Sequence, residues 1–120
     1  MLLQIEEKRI EPDITVVELV GRFALGRESQ RVESIMDELA SGGRTRAILD
    51  MTGVTYMDSA GIGLVALAAG QMKEAGGRLV VVATQGRVLE LLKMTQVNVI
   101  VTVCPTLPEA VAQFGPPAAM

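Results

Sequence analysis

Short runs of strand-forming residues alternate with helical patterns, and this alternation limits the fold more than any other feature of the sequence. The strand candidates are runs rich in Val, Ile and Leu, at residues 2–10, 14–20, 46–51, 78–84 and 97–103. The helix candidates lie at about residues 28–40, 60–75, 86–94 and 106–114; they carry apolar residues at helical spacing, except that 60–75 is apolar or small on both faces up to Gln71. This alternation predicts an α/β fold, a single mixed sheet of about five strands with four helices in the order β-β-α-β-α-β-α-β-α.

Turn-forming residues mark the ends of these runs. The tripeptide at 11–13, Glu-Pro-Asp, separates the first two strands and predicts a hairpin. Gly21 is expected to end the second strand, with a loop over residues 21–26. The segment TGVTYMDS at 52–59 fits either a loop or a late strand.

Length and composition indicate one domain with an aliphatic core. The chain has 120 residues, which suits a single domain, and we expect it to span 1–114 with a flexible tail at 115–120. Apolar residues make up 49 %, yet only Tyr56, Phe23 and Phe114 are aromatic. The formal charge is −3 and the arginines are scattered, so a nucleic-acid partner is not expected.

The lone Cys104 cannot form an internal disulfide, which favours a reducing compartment. The amino-terminal residues do not resemble a signal peptide. The longest nearly apolar run, at 61–70, is about half the length of a membrane span. We therefore expect a cytoplasmic protein without membrane insertion.

Catalytic machinery of the common kinds is missing from the sequence. There is no histidine, which excludes a Ser-His-Asp relay, and the segment around Ser59 lacks the first glycine of a nucleophile elbow. With one cysteine and no histidine, the usual zinc sites are excluded. Gly61 and Gly63 begin a dinucleotide-binding pattern, but Ala66 breaks it. We expect no enzyme active site, no metal and no cofactor.

Asp58 and Ser59 stand at the junction between a predicted strand and a small-residue helix. Both residue types are favoured as helix N-caps, where a side-chain oxygen accepts a backbone N–H. Ser59 is thus either a structural cap or a hydroxyl that another protein modifies. Gly61 and Gly63 weaken the helix, which suggests close packing on the sheet or close approach by a second protein.

The segment DMTGVTYMDSAGIGLVALAA, residues 50–69, resembles the central motif of the sulfate transporter and anti-sigma factor antagonist (STAS) domain family. The family pattern is an apolar strand, then Asp-Ser-Ser/Thr-Gly-x-Gly, then a helix. Asp58, Ser59, Gly61 and Gly63 fit this pattern, and Ala60 stands where Ser or Thr is common. The resemblance covers essentially the whole chain.

The resemblance implies a stand-alone bacterial anti-sigma factor antagonist. An anti-sigma factor serine kinase would phosphorylate Ser59, and only the unphosphorylated protein would bind that kinase and release a sigma factor. A PP2C-type phosphatase would reset the switch, and no particular oligomeric state is implied. The residues implied at the partner surface are Asp58, Ser59, Ala60, Gly61, Gly63, Arg22, Phe23 and Ala24.

Alternatives stay open on the sequence, and a small-molecule or nucleotide binder ranks third among the functions. Ala24 stands where the family often has an acid, so a constitutive scaffold, stressosome-like or part of a lipid-transport complex, could use the same fold. Thr52 and Thr55 are secondary candidates for phosphorylation. In either case a helix N-terminus tolerates a phosphate, so the fold itself should survive modification.

Overall fold

The computed structural model describes residues 3–84 and 86–115. Its five strands form one sheet in the order β1-β2-β3-β4-β5. The strands are β1 (Gln4–Ile10), β2 (Ile14–Phe23), β3 (Arg46–Met57), β4 (Arg78–Val82) and β5 (Thr102–Cys104). Strand β1 pairs antiparallel with β2 and the other pairs are parallel, which confirms the predicted mixed sheet. Apart from Gly115, the predicted tail lies outside the described residues.

Helices cover both faces of the sheet. They are α1 (Arg27–Ser41), α2 (Ser59–Glu74), α3 (Arg87–Met94), α4 (Val97–Ile100) and α5 (Leu107–Ala112). Residues of the first four helices share one core cluster with the sheet, whereas Leu107, Ala110 and Val111 of α5 belong to a cluster that includes Val16, Ile48 and Val80. The described residues thus contain five helices, one more than predicted.

The core is aliphatic, as the composition requires. The apolar stripe of α1, including Val32, Met36 and Leu39, packs with the sheet residues Leu49 and Val81. Burial of each such side chain contributes about 1.5–3 kcal/mol of favourable transfer free energy.

Two strands are longer than the sequence predicts. Strand β2 continues past Gly21 to Phe23, and β3 continues through residues 52–57, which settles the loop-or-strand alternative for that segment. The two extensions pair with each other, with Phe23 opposite Met57. A register irregularity follows Gly21, whose φ of 114° favours glycine, and it lets the ladder continue where the sequence predicts a loop.

The predicted strand at 97–103 is wrong in its first half. Residues 97–100 form the short helix α4, and strand pairing is confined to β5. Gln96 starts α4 from a left-handed conformation with φ of 63°. Val97 and Val101, four residues apart, are buried, while Val99 is 77 % exposed. Spacing of four residues between buried positions is helical, whereas a strand would place Val97, Val99 and Val101 on one face.

This difference gives a direct test. Val97→Ala should lower the free energy of unfolding by about 2 kcal/mol, because two methyl groups leave a closed core. Val99→Ala, the matched control, should change it by less than about 0.5 kcal/mol, since the side chain lies in solvent. Urea denaturation measures both, and equal losses for the two variants would contradict the helical turn.

Candidate partner-binding site at the start of helix α2

The site lies where β2 and β3 end side by side and α2 begins. The last paired residues of the two strands are Phe23 and Met57, and Asp58 directly follows Met57. The chain leaves β2 through the loop at 24–26 and leaves β3 directly into α2. The parallel pairing of the two strands therefore brings this loop against the first turn of α2.

The Asp58 carboxylate connects these two segments. Its Oδ1 accepts hydrogen bonds from the backbone N–H groups of Ala60 and Gly61, both at 3.0 Å. Its Oδ2 accepts one from the N–H of Leu25 at 3.1 Å. Asp58 is therefore the N-cap of α2, a role the sequence left open between Asp58 and Ser59.

These hydrogen bonds also stabilise the ionised form of Asp58. The bond from the Leu25 N–H, followed by that from Gly61, lowers the pKa of Asp58 below its ordinary value of 3.8. Partial burial opposes this shift without cancelling it. The carboxylate is thus charged at neutral pH, and three amide dipoles share its charge.

Ser59 is the first residue of α2, and its side chain is exposed. Among the described residues, none forms a hydrogen bond with its hydroxyl. The amides of Ala60 and Gly61, which could have received an anion, are already bonded to Asp58. A phosphate on Ser59 would therefore not be held by these two amides, although it would still lie in the field of the helix terminus.

The hydroxyls of Thr52 and Thr55, the secondary candidates for phosphorylation, differ from that of Ser59 because they form hydrogen bonds. The Thr52 hydroxyl donates to Asp50 Oδ1 at 2.8 Å, and the Thr55 hydroxyl donates to the carbonyl oxygen of Gly21 at 3.3 Å. Both hydroxyls are engaged within the protein, whereas that of Ser59 is not. All three residues are exposed, so the hydrogen bonding is what distinguishes Ser59 as the unbonded hydroxyl among the three.

Gly61 and Gly63 have different surroundings. A Cβ placed on Gly61 would lie 2.5 Å from the carbonyl oxygen of Phe23 and 2.9 Å from Met57 Cγ. A Cβ on Gly63 would meet nothing within 4 Å. Gly61 thus permits close contact between α2 and the end of β2, while Gly63 leaves an open, exposed position on α2.

The remaining predicted residues lie on the loop side of the site. Arg22 is exposed and stacks over the Tyr56 ring, with its guanidinium carbon 4.0 Å from the ring centroid. Ala24 is half-buried. Phe23 differs from its neighbours because its side chain is fully buried, so it supports the loop from the core.

Sequence reasoning missed Leu25 and Tyr56. Leu25 is 77 % exposed, and Tyr56 is 42 % exposed beneath Arg22. Leu25 could have been noticed as a large apolar residue in a loop, just before the Gly26 that precedes α1. Tyr56 lies in the segment that the sequence leaves open between a loop and a strand. It can be recognised as an exposed strand residue only once β3 is known to extend to Met57.

Within the parts of the chain that the structure describes, no cluster of three or more acidic or cysteine side chains could hold a metal ion. None of the helices in residues 3–84 and 86–115 is long and apolar enough to cross a bilayer.

Comparison with known proteins identifies the family. The family model of the STAS domain matches residues 7–110. This match covers most of the chain, which therefore belongs to the STAS domain family. The resemblance that the 50–69 segment suggested is confirmed.

Several solved structures share this backbone. A candidate anti-sigma factor antagonist from Thermotoga maritima has a TM-score of 0.82 and 19 % identity, over 91 % of this chain and 92 % of that one. An anti-sigma factor antagonist from Mycobacterium paratuberculosis has a TM-score of 0.81 and 16 % identity, over 93 % of both chains. The Bacillus cell fate determinant SpoIIAA in its phosphorylated form gives 0.71 and 16 %, over 92 % and 99 %. These likenesses show the fold.

The cap predicts a pH-dependent contribution to stability. Asp58→Ala should lower the free energy of unfolding by about 1–2 kcal/mol at pH 7, because it removes the cap of α2 and the tie to Leu25. The pKa of Asp58 is lower in the folded state, so its contribution is complete above the unfolded-state value and is lost as pH falls through the folded-state value. Urea denaturation from pH 7 to pH 3 should show the difference from wild type shrinking at acid pH. A difference that stays constant would contradict this assignment.

The two glycines form a matched pair on one helix. Gly61→Ala should destabilise the protein by about 1–3 kcal/mol, because the new methyl group meets the backbone of Phe23. Gly63→Ala should stabilise it by about 0.4–1 kcal/mol, since alanine is a better helix former and the position is open. Thermal denaturation measures whether each variant loses or gains stability. Destabilisation by Gly63→Ala would show that this surface is more confined than the structure indicates.

Proposed function

We propose that this chain is an anti-sigma factor antagonist switched by phosphorylation of Ser59. In this proposal the unphosphorylated protein binds an anti-sigma factor serine kinase, and the phosphorylated protein does not. The observation that carries the proposal is the exposed Ser59 hydroxyl, which is unbonded among the described residues and directly follows the capping Asp58.

The position of Ser59 suits modification by a second protein. An acceptor hydroxyl has to reach a kinase active site, and Ser59 lies outside the hydrogen bonds that join α2 to the loop. Because the hydroxyl supports nothing within the described structure, its conversion to a phosphate breaks no contact of the fold. SpoIIAA, which has a similar backbone, has been solved in a phosphorylated form, and this supports the proposal that Ser59 is modified.

The electrostatics of the site suit a switch. A phosphate adds about 1.5–2 negative charges near neutral pH. Two like unit charges 4 Å apart repel by about 4 kcal/mol at a surface-like dielectric, which equals roughly a thousandfold in affinity before screening by salt. One phosphate at Ser59 can therefore abolish docking of an acidic partner surface while α2 and its cap stay intact.

In this switch the partner proteins carry out the chemistry. The anti-sigma factor kinase transfers the phosphate, a PP2C-type phosphatase removes it, and this chain binds and is modified. A cytoplasmic location follows from those partners. The competing function is a constitutive STAS scaffold, which would bind its partner whether or not Ser59 carries a phosphate.

Phosphorylation and binding assays separate the two functions. The purified protein is incubated with ATP and the anti-sigma factor kinase of the same genome, and mass spectrometry locates the phosphate. We expect a single phosphate on Ser59. It should be absent in Ser59→Ala and retained in the control variant Thr52→Val/Thr55→Val.

Binding is then measured by isothermal titration calorimetry with the same kinase. Ser59→Ala should bind like the wild type, and Ser59→Asp should bind at least tenfold more weakly. Unchanged binding by Ser59→Asp and by the phosphorylated protein would reject the switch and leave the scaffold function.

A further inference from the structure

We propose that Leu25 is the apolar anchor of the partner interface, with Arg22 and Arg27 as its cationic rim. The partner surface that fits this arrangement is an apolar recess bordered by carboxylates. The inference rests on the proposed function and specifies which chemistry the anti-sigma factor kinase presents to the site.

Leu25 is exposed in a fixed position. The residue is 77 % exposed, yet its backbone N–H donates to Asp58 Oδ2 at 3.1 Å. The next residue, Gly26, is held as well, because its N–H donates to Ser29 Oγ at 3.0 Å. An apolar side chain on a backbone that is already ordered loses little conformational entropy on binding, which is a property of interface anchors.

The rim of the site is positively charged. Arg22 and Arg27 flank Leu25 in the sequence, both are exposed, and neither forms an ion pair with any of the described residues. The charge of Asp58 is shared by three backbone amides, which leaves it a weak counter-charge for them. Arg22 is oriented by its stacking on Tyr56, at 4.0 Å from the ring centroid. Two exposed guanidinium groups without ion pairs among the described residues, on residues two or three positions from Leu25 in the sequence, favour a carboxylate-bearing partner.

The same rim explains how a phosphate at Ser59 interrupts docking. Ser59 follows Asp58, whose carboxylate holds Leu25, so a phosphate there enters the electrostatic field of the rim. The phosphate repels the carboxylates of the partner and competes with them for the arginines. The arginines thus serve as counter-charges to the partner in one state and to the phosphate in the other.

A matched pair of apolar variants tests the anchor. Leu25→Ala keeps the backbone N–H that Asp58 holds and removes only the side chain. It should weaken binding to the anti-sigma factor kinase at least tenfold by calorimetry, with an unchanged melting temperature. Val99→Ala removes an apolar side chain of the same exposure, 77 %, on the distant helix α4, and should change the affinity less than twofold.

A matched set of arginine variants tests the rim. Arg22→Gln/Arg27→Gln should weaken binding at least tenfold and flatten its dependence on salt between 50 and 500 mM NaCl, concentrations chosen to span strong and weak screening. Arg44→Gln, a charge removal in the loop between α1 and β3, should leave both affinity and salt dependence near those of the wild type.

The outcomes separate this inference from the proposed function. Wild-type binding that is lost in Ser59→Asp but retained in Leu25→Ala and Arg22→Gln/Arg27→Gln would overturn the inference and keep the switch. Loss in the Leu25 and arginine variants, with full binding by Ser59→Asp, would support the anchor and reject the switch. Absence of wild-type binding to the kinase would reject both.

Discussion

The hydrogen bonds accepted by one carboxylate, that of Asp58, determine the geometry of the site. Asp58 accepts two backbone amides of α2 through one oxygen and the amide of Leu25 through the other. One side chain therefore decides where α2 begins and where the loop after β2 lies. Both segments would otherwise have unsatisfied amides, a common weakness of helix starts and loops. The exposed positions of Ser59 and Leu25 follow from this arrangement.

The composition of α2 is explained by the surface on which it packs. Gly61 lies against the backbone of Phe23, and Val65, Ala68 and Met72 face the core cluster of the sheet. Close packing thus explains the small and apolar residues on the buried face of α2, whereas Gly63 and Leu67 are uncharged at exposed positions that packing does not account for. The proposed phosphorylation site, Ser59, lies in the first turn of this helix, next to the capping Asp58.

The sequence predicts the strand and helix order well, because hydrophobic periodicity reports which faces are buried. Prediction from the sequence fails where tertiary contacts determine the local structure. The ends of β2 and β3 extend because they pair with each other across the irregularity at Gly21, which no local pattern encodes. Valines at 97, 99 and 101 fit a strand or a helical turn equally, and only packing buries Val97 and Val101 together. Ser59 was predicted from its motif, whereas a single exposed leucine in a loop, Leu25, carries no periodic signal.

The proposed phosphorylation switch would require no conformational change, because of the way charge is distributed at the site. The Asp58 carboxylate is held by amides that a phosphate at Ser59 does not displace, and the Ser59 hydroxyl supports no other described contact. A rigid site of this kind changes its potential upon modification while its shape stays the same. Discrimination between the unphosphorylated and the phosphorylated protein would then depend on the partner, because the charges of the partner determine how much one phosphate weakens binding. The free energy of the proposed switch would therefore lie in the interface and would leave the stability of the fold largely unchanged.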